Sequence, residues 1–298
     1  ARKGWDWDGD GAMGAPPVKV VVSAAIHVAV SKALRILGFG LRHVVPAPVD
    51  PFGRVDPAQL PDLDAGTILC LQAGEVNSGA FDPFAELLPR AREAGAWGHV
   101  DGAFGLWARA SSAAHLCEGI DAADSWTADG HKWLNTPYDG AFSICRDARA
   151  VEAAMSSDAV YAPSEPGAQQ NLTLEFSRRA RGIPIWAALR SLGRDGLRAM
   201  IDRNIKQAKA IGEAMQRIGY DLPTPVFLNQ VLARVGDDEK TKRVCAIMQA
   251  SGAGWFGMTR WDGRVAFRIS VSSFRTEDVH VADLIAALEA AYREVERA

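Results

Sequence analysis

A histidine and a lysine stand side by side at His131 and Lys132, just after a short run at 125–128 that is typical of a strand. Small and apolar residues surround this lysine, and a buried ammonium is costly unless it is paired or used chemically. We therefore interpret Lys132 as a covalent anchor for a cofactor. The alternative is a half-exposed lysine whose stem covers the neighbouring tryptophan rings, and an isolated His-Lys-Trp would favour that alternative.

A carboxylate 31 residues upstream, Asp101, ends the apolar run that begins at Trp97. The run predicts a buried parallel strand, and ligands bind at the carboxyl ends of such strands. An isolated aspartate there could equally hold a turn. Followed by a strand that ends near a lysine, however, it predicts a pyridoxal phosphate site. In such a site the lysine forms an imine with the aldehyde, and the aspartate keeps the ring nitrogen protonated.

Three segments, at 72–82, 99–105 and 123–135, resemble the group II pyridoxal-phosphate-dependent amino-acid decarboxylases. That family includes the aromatic-L-amino-acid, histidine, tyrosine and glutamate decarboxylases. The similarity extends from about residue 18 to the C-terminus, and its motifs are more specific for the superfamily than for the reaction. The resemblance implies the fold-type-I architecture of the pyridoxal-phosphate-dependent transferases, an amino-acid substrate and a homodimer with a shared active site.

The resemblance also assigns roles to individual residues. It implies that His27 stacks on the cofactor ring and meets the substrate carboxylate, although a histidine at a strand-to-helix turn is more often a helix cap. Tyr161 would be the proton donor on a catalytic loop, the alternative being a tyrosine packed on the surface. The further cofactor-binding candidates are Ala103 beneath the ring, His131, Thr127, Asp129 and Asn77.

Some positions have no clear assignment from the sequence. Glu75 stands where the closest-looking subfamily has Asn, so the polar contacts around it are open. Arg268 could meet a carboxylate or form an ion pair at a sheet edge. The cluster Arg178, Arg179 and Arg181 could brace the dimer or the preceding loop, or form a solvated basic face.

Strand and helix patterns alternate through the first two thirds of the chain and predict an α/β fold. Such alternation indicates a mostly parallel sheet with helices on both faces. We predict a large cofactor-binding domain at 1–195 and a small α+β C-terminal domain at 196–298. The first 17 residues are interpreted as a surface loop. By resemblance, a phosphate-binding turn belongs to an N-terminal region that this sequence lacks, so we expect weak phosphate affinity from these 298 residues alone.

The composition is that of an ordinary globular protein, with 48% hydrophobic residues and a net charge of −3. This charge gives no reason to expect a nucleic-acid or membrane partner. The four cysteines are widely separated without metal-site spacing, so we expect no metal, reduced thiols and a cytoplasmic location. The sequence shows no signal peptide or transmembrane run.

The favoured function is decarboxylation of an L-amino acid to its amine and carbon dioxide. Two alternatives remain open at this point. One is another reaction on the same fold, either carbon–carbon cleavage or aminotransfer. The other is a truncated homologue without catalysis.

Overall fold

A six-stranded sheet forms the centre of the large domain. The computed structural model describes residues 4–156, 165 and 167–297. The strand order is β2-β1-β3-β4-β5-β6; the first five strands are parallel and β6 is antiparallel to β5. The strands are β1 (Lys19–Ser23), β2 (Val44–Ala47), β3 (Thr67–Gln72), β4 (Trp97–Asp101), β5 (Ser125–Asp129) and β6 (Ala141–Cys145).

Helices cover both faces of this sheet, as the sequence predicts. The α-helices of the described chain, including α6 and α7 of the small domain, are α1 (Trp7–Asp10), α2 (Val28–Ile36), α3 (Phe84–Glu93), α4 (Ala148–Met155), α5 (Gly182–Ile218), α6 (Asp238–Ser251) and α7 (Asp278–Glu296). Val20 and Val22 pack with Leu34 of α2 on one face, and Val21 packs with Leu87 of α3 on the other. Because successive side chains of a strand point to opposite faces, this continuous valine run suits a strand that is buried on both sides.

The structure corrects the prediction for the N-terminus and confirms a predicted break between two helices. The interpretation of the first 17 residues as a loop throughout was wrong, because Trp7–Asp10 form one helical turn. The sequence predicts one helix at about 185–192 and a longer one at about 194–218, and α5 is broken between them at Gly193, where φ is 62° and ψ is −174°. A positive φ is readily adopted by glycine, so the break lies at the residue type that allows it.

A second, antiparallel sheet forms the small domain, in the order β7-β9-β8. Its strands are β7 (Gln230–Ala233), β8 (Gly257–Trp261) and β9 (Arg264–Ser270). Phe267 of β9 is fully buried together with Val244 of α6 and Leu288 of α7. The helix α6 was not predicted from the sequence.

The helix α5 contributes to the cores of both domains. Leu197 and Ile205 belong to the core of the large sheet, whereas Ala208 and Met215 belong to that of the small sheet. The predicted boundary between residues 195 and 196 therefore lies within a helix that packs on both sides of it. None of the helices in the described part of the chain has the length and apolarity needed to cross a membrane.

Candidate active site

A cleft of about 380 Å³ lies between the carboxyl ends of the parallel strands and the small domain. Gln72 ends β3, Asp101 ends β4 and Lys132 follows β5 by three residues, so neighbouring strands deliver all three to one edge. The large-domain wall of the cleft consists of His27, Gln72, Gly74, Val76, Asp101, Ala103, Phe104, His131, Lys132, Trp133, Asn135 and Tyr138. The volume lies within the range typical of small-molecule sites.

The amine of Lys132 forms an ion pair with Asp129. Lys132 Nζ lies 2.9 Å from Asp129 Oδ2, and the two side chains are 39% and 17% exposed. Asp129 is the last residue of β5. Lys132 is therefore an amine at the cleft wall that is held by a largely buried carboxylate.

The imidazole of His131 lines the cleft and contacts both Gly140 and Tyr138. Its Nδ1 lies 2.8 Å from the Gly140 carbonyl oxygen, and its ring packs against the Tyr138 ring at a tilt of 31°, with centroids 4.4 Å apart. Since a carbonyl oxygen only accepts, Nδ1 carries the proton and donates it. The other ring nitrogen, Nε2, then lies 3.6 Å from Asp129 Oδ2.

Asp101 and Ala103 lie side by side on the floor of the cleft. Asp101 Oδ1 accepts a hydrogen bond from the Ala103 backbone N–H at 3.1 Å. The chain turns closely here, because a Cβ on Gly105 would lie 2.1 Å from the Ala73 carbonyl oxygen. Glycine at 105 therefore allows the turn after Asp101 to pack against the end of β3.

His27 caps α2 and also lines the cleft. Its Nδ1 accepts a hydrogen bond from the Ala29 N–H at 3.3 Å, and its own backbone N–H donates to Gln72 Oε1 at 3.2 Å. Because Nδ1 accepts, a neutral ring carries its proton on Nε2. The capping alternative raised by the sequence is thus realised, and it leaves an N–H donor for a ligand in the cleft.

The small domain supplies the opposite wall, with Asn229, Gln230, Arg268, Ser270 and Ser272. Arg268 Nη1 donates to the Val76 carbonyl oxygen at 2.8 Å, while its buried Nε has no partner among the described residues. Asn229 is 1% exposed, and its Oδ1 likewise has no hydrogen-bond partner among the described residues. Burial lowers the pKa of Arg268, and the nearby Glu75 carboxylate opposes that shift.

Glu75 organises the turn that carries Asn77. Its buried carboxylate accepts hydrogen bonds from the backbone N–H groups of Asn77 and Ser78, both at 2.7 Å, and from Asn77 Nδ2 at 3.0 Å. The Asn77 amide therefore bonds Glu75 and does not line the cleft of Lys132. Thr127, which pairs with Asp101 in the sheet, is also not among its lining residues.

Two of the predicted arginines brace the loop that follows Lys132. Arg181 Nε donates to Asp139 Oδ1 at 3.1 Å, and Arg179 donates to the Tyr138 carbonyl oxygen. Arg178 instead donates to the backbone carbonyls of Glu175 and Phe176. Tyr161, the predicted proton donor, lies outside the described residues.

Sequence reasoning missed several lining residues. Gln72 could have been found, because it ends the strand next to that of Asp101 and the ends of parallel strands share an edge. Asn135 has a positive φ of 56° and donates to the Ser272 carbonyl oxygen at 2.9 Å. Asn229 and Gln230 carry no local signal, because only packing of the two domains brings them to the cleft.

The residues present fit pyridoxal phosphate on structural grounds. An amine and a carboxylate line one cleft, and small Ala103 lies next to the carboxylate. On the facing wall, the buried atoms Arg268 Nε and Asn229 Oδ1 have no hydrogen-bond partner among the described residues. They are therefore available to donate to or accept from a polar ligand.

Comparisons with known proteins found a family match and similar relatives. Residues 11–224 match the family described as "Pyridoxal-dependent decarboxylase conserved domain". The L-2,4-diaminobutyrate decarboxylase of Rhizobium meliloti (strain 1021) is 31% identical over 299 aligned positions, covering 93% of this chain and 60% of that protein.

Solved structures have the same fold. The crystal structure of Oryza sativa TDC with PLP and tryptamine superimposes with a TM-score of 0.86 at 21% identity, covering 96% of this chain and 64% of that one. Catharanthus roseus tryptophan decarboxylase in complex with L-tryptophan gives 0.84 at 20% identity, with 97% and 66% covered. The chain thus spans about two thirds or less of the length of these three proteins.

Proposed function

Because the chain belongs to the pyridoxal-dependent decarboxylase family, we propose that the protein decarboxylates an L-amino acid to its amine and carbon dioxide at this cleft. The family match confirms the resemblance and the expectation of pyridoxal phosphate. One observation carries the proposal. Asp101 at the end of β4 and Lys132 just after the neighbouring strand β5 line the same cleft as Arg268, whose Nε has no partner among the described residues.

Pyridoxal phosphate supplies, when bound, an aldehyde for covalent attachment and a ring that accepts the electron pair left by departing carbon dioxide. Lys132 is the residue proposed to hold the aldehyde. Asp101 would hold the proton of the ring nitrogen, because a carboxylate in contact favours the charged form. Ala103 and His131 complete the proposed cofactor contacts, and Asp129 acts on Lys132. Thr127 and Asn77 do not line the cleft, so we assign them no contact with the cofactor.

The substrate carboxylate has two proposed partners on opposite walls. Arg268 has an unused N–H, and His27 has a free Nε2 when Nδ1 is occupied by the cap. Two charge-assisted hydrogen bonds would orient the carboxylate and exclude water around it. Tyr161 is proposed, from the resemblance alone, to give the proton that completes the amine.

We also propose that two copies of the protein form a dimer. Large apolar side chains are exposed near the loop that follows Lys132, with Leu174, Ile183 and Trp186 at least 63% exposed. Arg179 and Arg181 tie that region to Tyr138 and Asp139 at the cleft. Sedimentation of the protein would show a single species of twice the chain mass.

The four cysteines are free, which suits the reducing cytoplasm that we propose as the location of the protein.

The assignment of Lys132 is tested by borohydride reduction in the presence of pyridoxal phosphate, followed by peptide mapping. The pyridoxyl group is expected on Lys132, and Lys132→Arg should abolish it. Lys206 and Lys209, exposed on α5, are internal controls in the same sample. A label predominantly on another lysine would move the site elsewhere.

The reaction is tested with a panel of free amino acids that includes L-2,4-diaminobutyrate and the aromatic L-amino acids. Carbon dioxide and amine in equal amounts are expected for at least one of them. Keto-acid formation would indicate aminotransfer, and cleavage into an aldehyde and a smaller amine would indicate a carbon–carbon lyase. Absence of any product from protein that carries cofactor on Lys132 would favour a non-catalytic homologue.

A further inference from the structure

Asp129 is held rigidly beside the amine of Lys132. Its backbone N–H donates to the Ala103 carbonyl oxygen at 2.9 Å, and its own carbonyl oxygen accepts from Trp107 Nε1 at 3.1 Å. Its side chain is 17% exposed and places Oδ2 at 2.9 Å from Lys132 Nζ. Of the carboxylates in the described part of the chain, Asp129 is the one within 4.0 Å of this nitrogen. A carboxylate in this position can exchange a proton with the reacting atom directly.

We propose that Asp129 is a catalytic proton carrier for Lys132: it takes a proton from the ammonium and returns it when the C–N bond to the cofactor aldehyde is completed. The inference deepens the proposed function and rests on Lys132 as the anchor. Asp129 would exchange this proton when Lys132 first binds the cofactor. The same exchange would occur again each time the substrate amine displaces Lys132.

All protons in this step come from Lys132 and Asp129, so no additional reactant is needed. The ammonium of Lys132 gives one proton to Asp129, which leaves a neutral amine and a carboxylic acid. The nitrogen lone pair then bonds to the aldehyde carbon, and the aldehyde oxygen leaves as water. That water takes one hydrogen from the nitrogen and one from Asp129. The nitrogen keeps one hydrogen and the positive charge, which again faces the Asp129 carboxylate.

The neighbouring histidine is less suited to this exchange. His131 Nδ1 is committed to the Gly140 carbonyl oxygen. Its Nε2 lies 3.6 Å from Asp129 Oδ2, so it contacts the same oxygen as Lys132 at a longer distance. We assign His131 the role of positioning the Asp129 carboxylate, which among the described carboxylates is the one that forms an ion pair with the amine.

The test measures how fast Lys132 itself is labelled. Pyridoxal, which lacks the phosphate, and cyanoborohydride are added to the protein at one fixed near-neutral pH, and mass spectrometry follows the Lys132 peptide. The variants are Asp129→Asn, which keeps the size but removes the charge, and Asp121→Asn, an equal charge change on a carboxylate that is 77% exposed and pairs with Arg109. Lys206 and Lys209 are reference lysines, and circular dichroism checks that each variant is folded.

We expect Asp129→Asn to slow the labelling of Lys132 by about a hundredfold, the low end for a positioned acid or base. Asp121→Asn and the reference lysines should keep the wild-type rate. If Asp129 were only an ionic partner, its removal would free the amine and labelling would be faster. Unchanged or faster labelling in Asp129→Asn therefore overturns the proposal.

A second variant separates chemistry from packing. Asp129→Glu retains a carboxylate, so its Lys132 should react markedly faster than that of Asp129→Asn. Equal losses in the two folded variants would assign Asp129 a structural role and contradict proton transfer. Failure of the proposed function is distinguishable, because wild-type Lys132 would then take no label from pyridoxal phosphate.

Discussion

Trp133 Nε1 donates a hydrogen bond to Asn204 Oδ1 at 3.0 Å, and both residues are completely buried. Asn204 lies on α5, and its Nδ2 reaches the Ser273 carbonyl oxygen at 3.3 Å. One buried amide thus connects the residue after Lys132 to the long helix and to the segment after β9. The position of Lys132 consequently depends on the packing of α5 between the two domains.

Removing the indole N–H should destabilise the protein measurably. In Trp133→Phe the Asn204 oxygen stays buried without its donor, which costs about 1–3 kcal/mol, besides the loss of packing. Urea unfolding should show this decrease in the free energy of unfolding. Trp255→Phe, at a residue that is 82% exposed, is the matched control and should change it by less than about 0.5 kcal/mol. Equal effects would mean that the buried hydrogen bond contributes nothing.

Asp101→Asn should separate cofactor retention from turnover. The amide keeps the size of the side chain but cannot hold the ring nitrogen charged, since only the carboxylate offers the roughly 5 kcal/mol attraction of a contact ion pair at intermediate dielectric. We expect bound cofactor by absorbance and a loss of carbon dioxide release of more than about a hundredfold. Wild-type turnover would make Asp101 a structural residue.

Arg268→Met should weaken substrate binding more than the chemical step. A charge-assisted hydrogen bond contributes about 1.5–3 kcal/mol, so KM should rise by about tenfold to a hundredfold with a smaller change in kcat. Arg260→Met on the neighbouring strand β8 is the control, since its guanidinium binds the Gly263 carbonyl oxygen at an exposed site. A fall in kcat at unchanged KM would argue against a role in binding the carboxylate.

His99 should make the protein more sensitive to acid. Burial lowers its pKa below the ordinary value of 6.5, and the Asp101 carboxylate opposes the shift less strongly. The unfolded chain therefore binds a proton at a pH where the folded chain does not, and stability decreases as pH falls through about 6.5. Urea unfolding over a pH series should show a shallower decrease for His99→Gln than for the wild type. His115→Gln, at an exposed position, should follow the wild-type curve.

Local patterns in the sequence were sufficient to predict the centre of the large domain. The valine run of β1 is buried on both faces, and the apolar run before Asp101 alternates between buried and half-buried residues, so the composition of both runs predicted parallel strands. Lys132 and Asp101 followed from their place at strand ends. The break in α5 at Gly193 lies between the two helices predicted at about 185–192 and 194–218. By contrast, α6 was missed, because its first turns are charged and its buried face is limited to Thr241, Val244, Cys245 and Met248.

The sequence by itself determined the type of fold and pointed to the two residues on which the proposed chemistry depends, because strand periodicity and strand-end position are local properties. The tertiary structure alone decided which groups surround them. Arg268 reaches Val76 across 192 residues of sequence, and Trp133 reaches Asn204 across 71. Even Asp129, three residues before Lys132, is identified as its partner only because the turn after β5 folds the amine back onto the carboxylate. Such contacts depend on how separate elements pack, and no periodic pattern of residues encodes that packing.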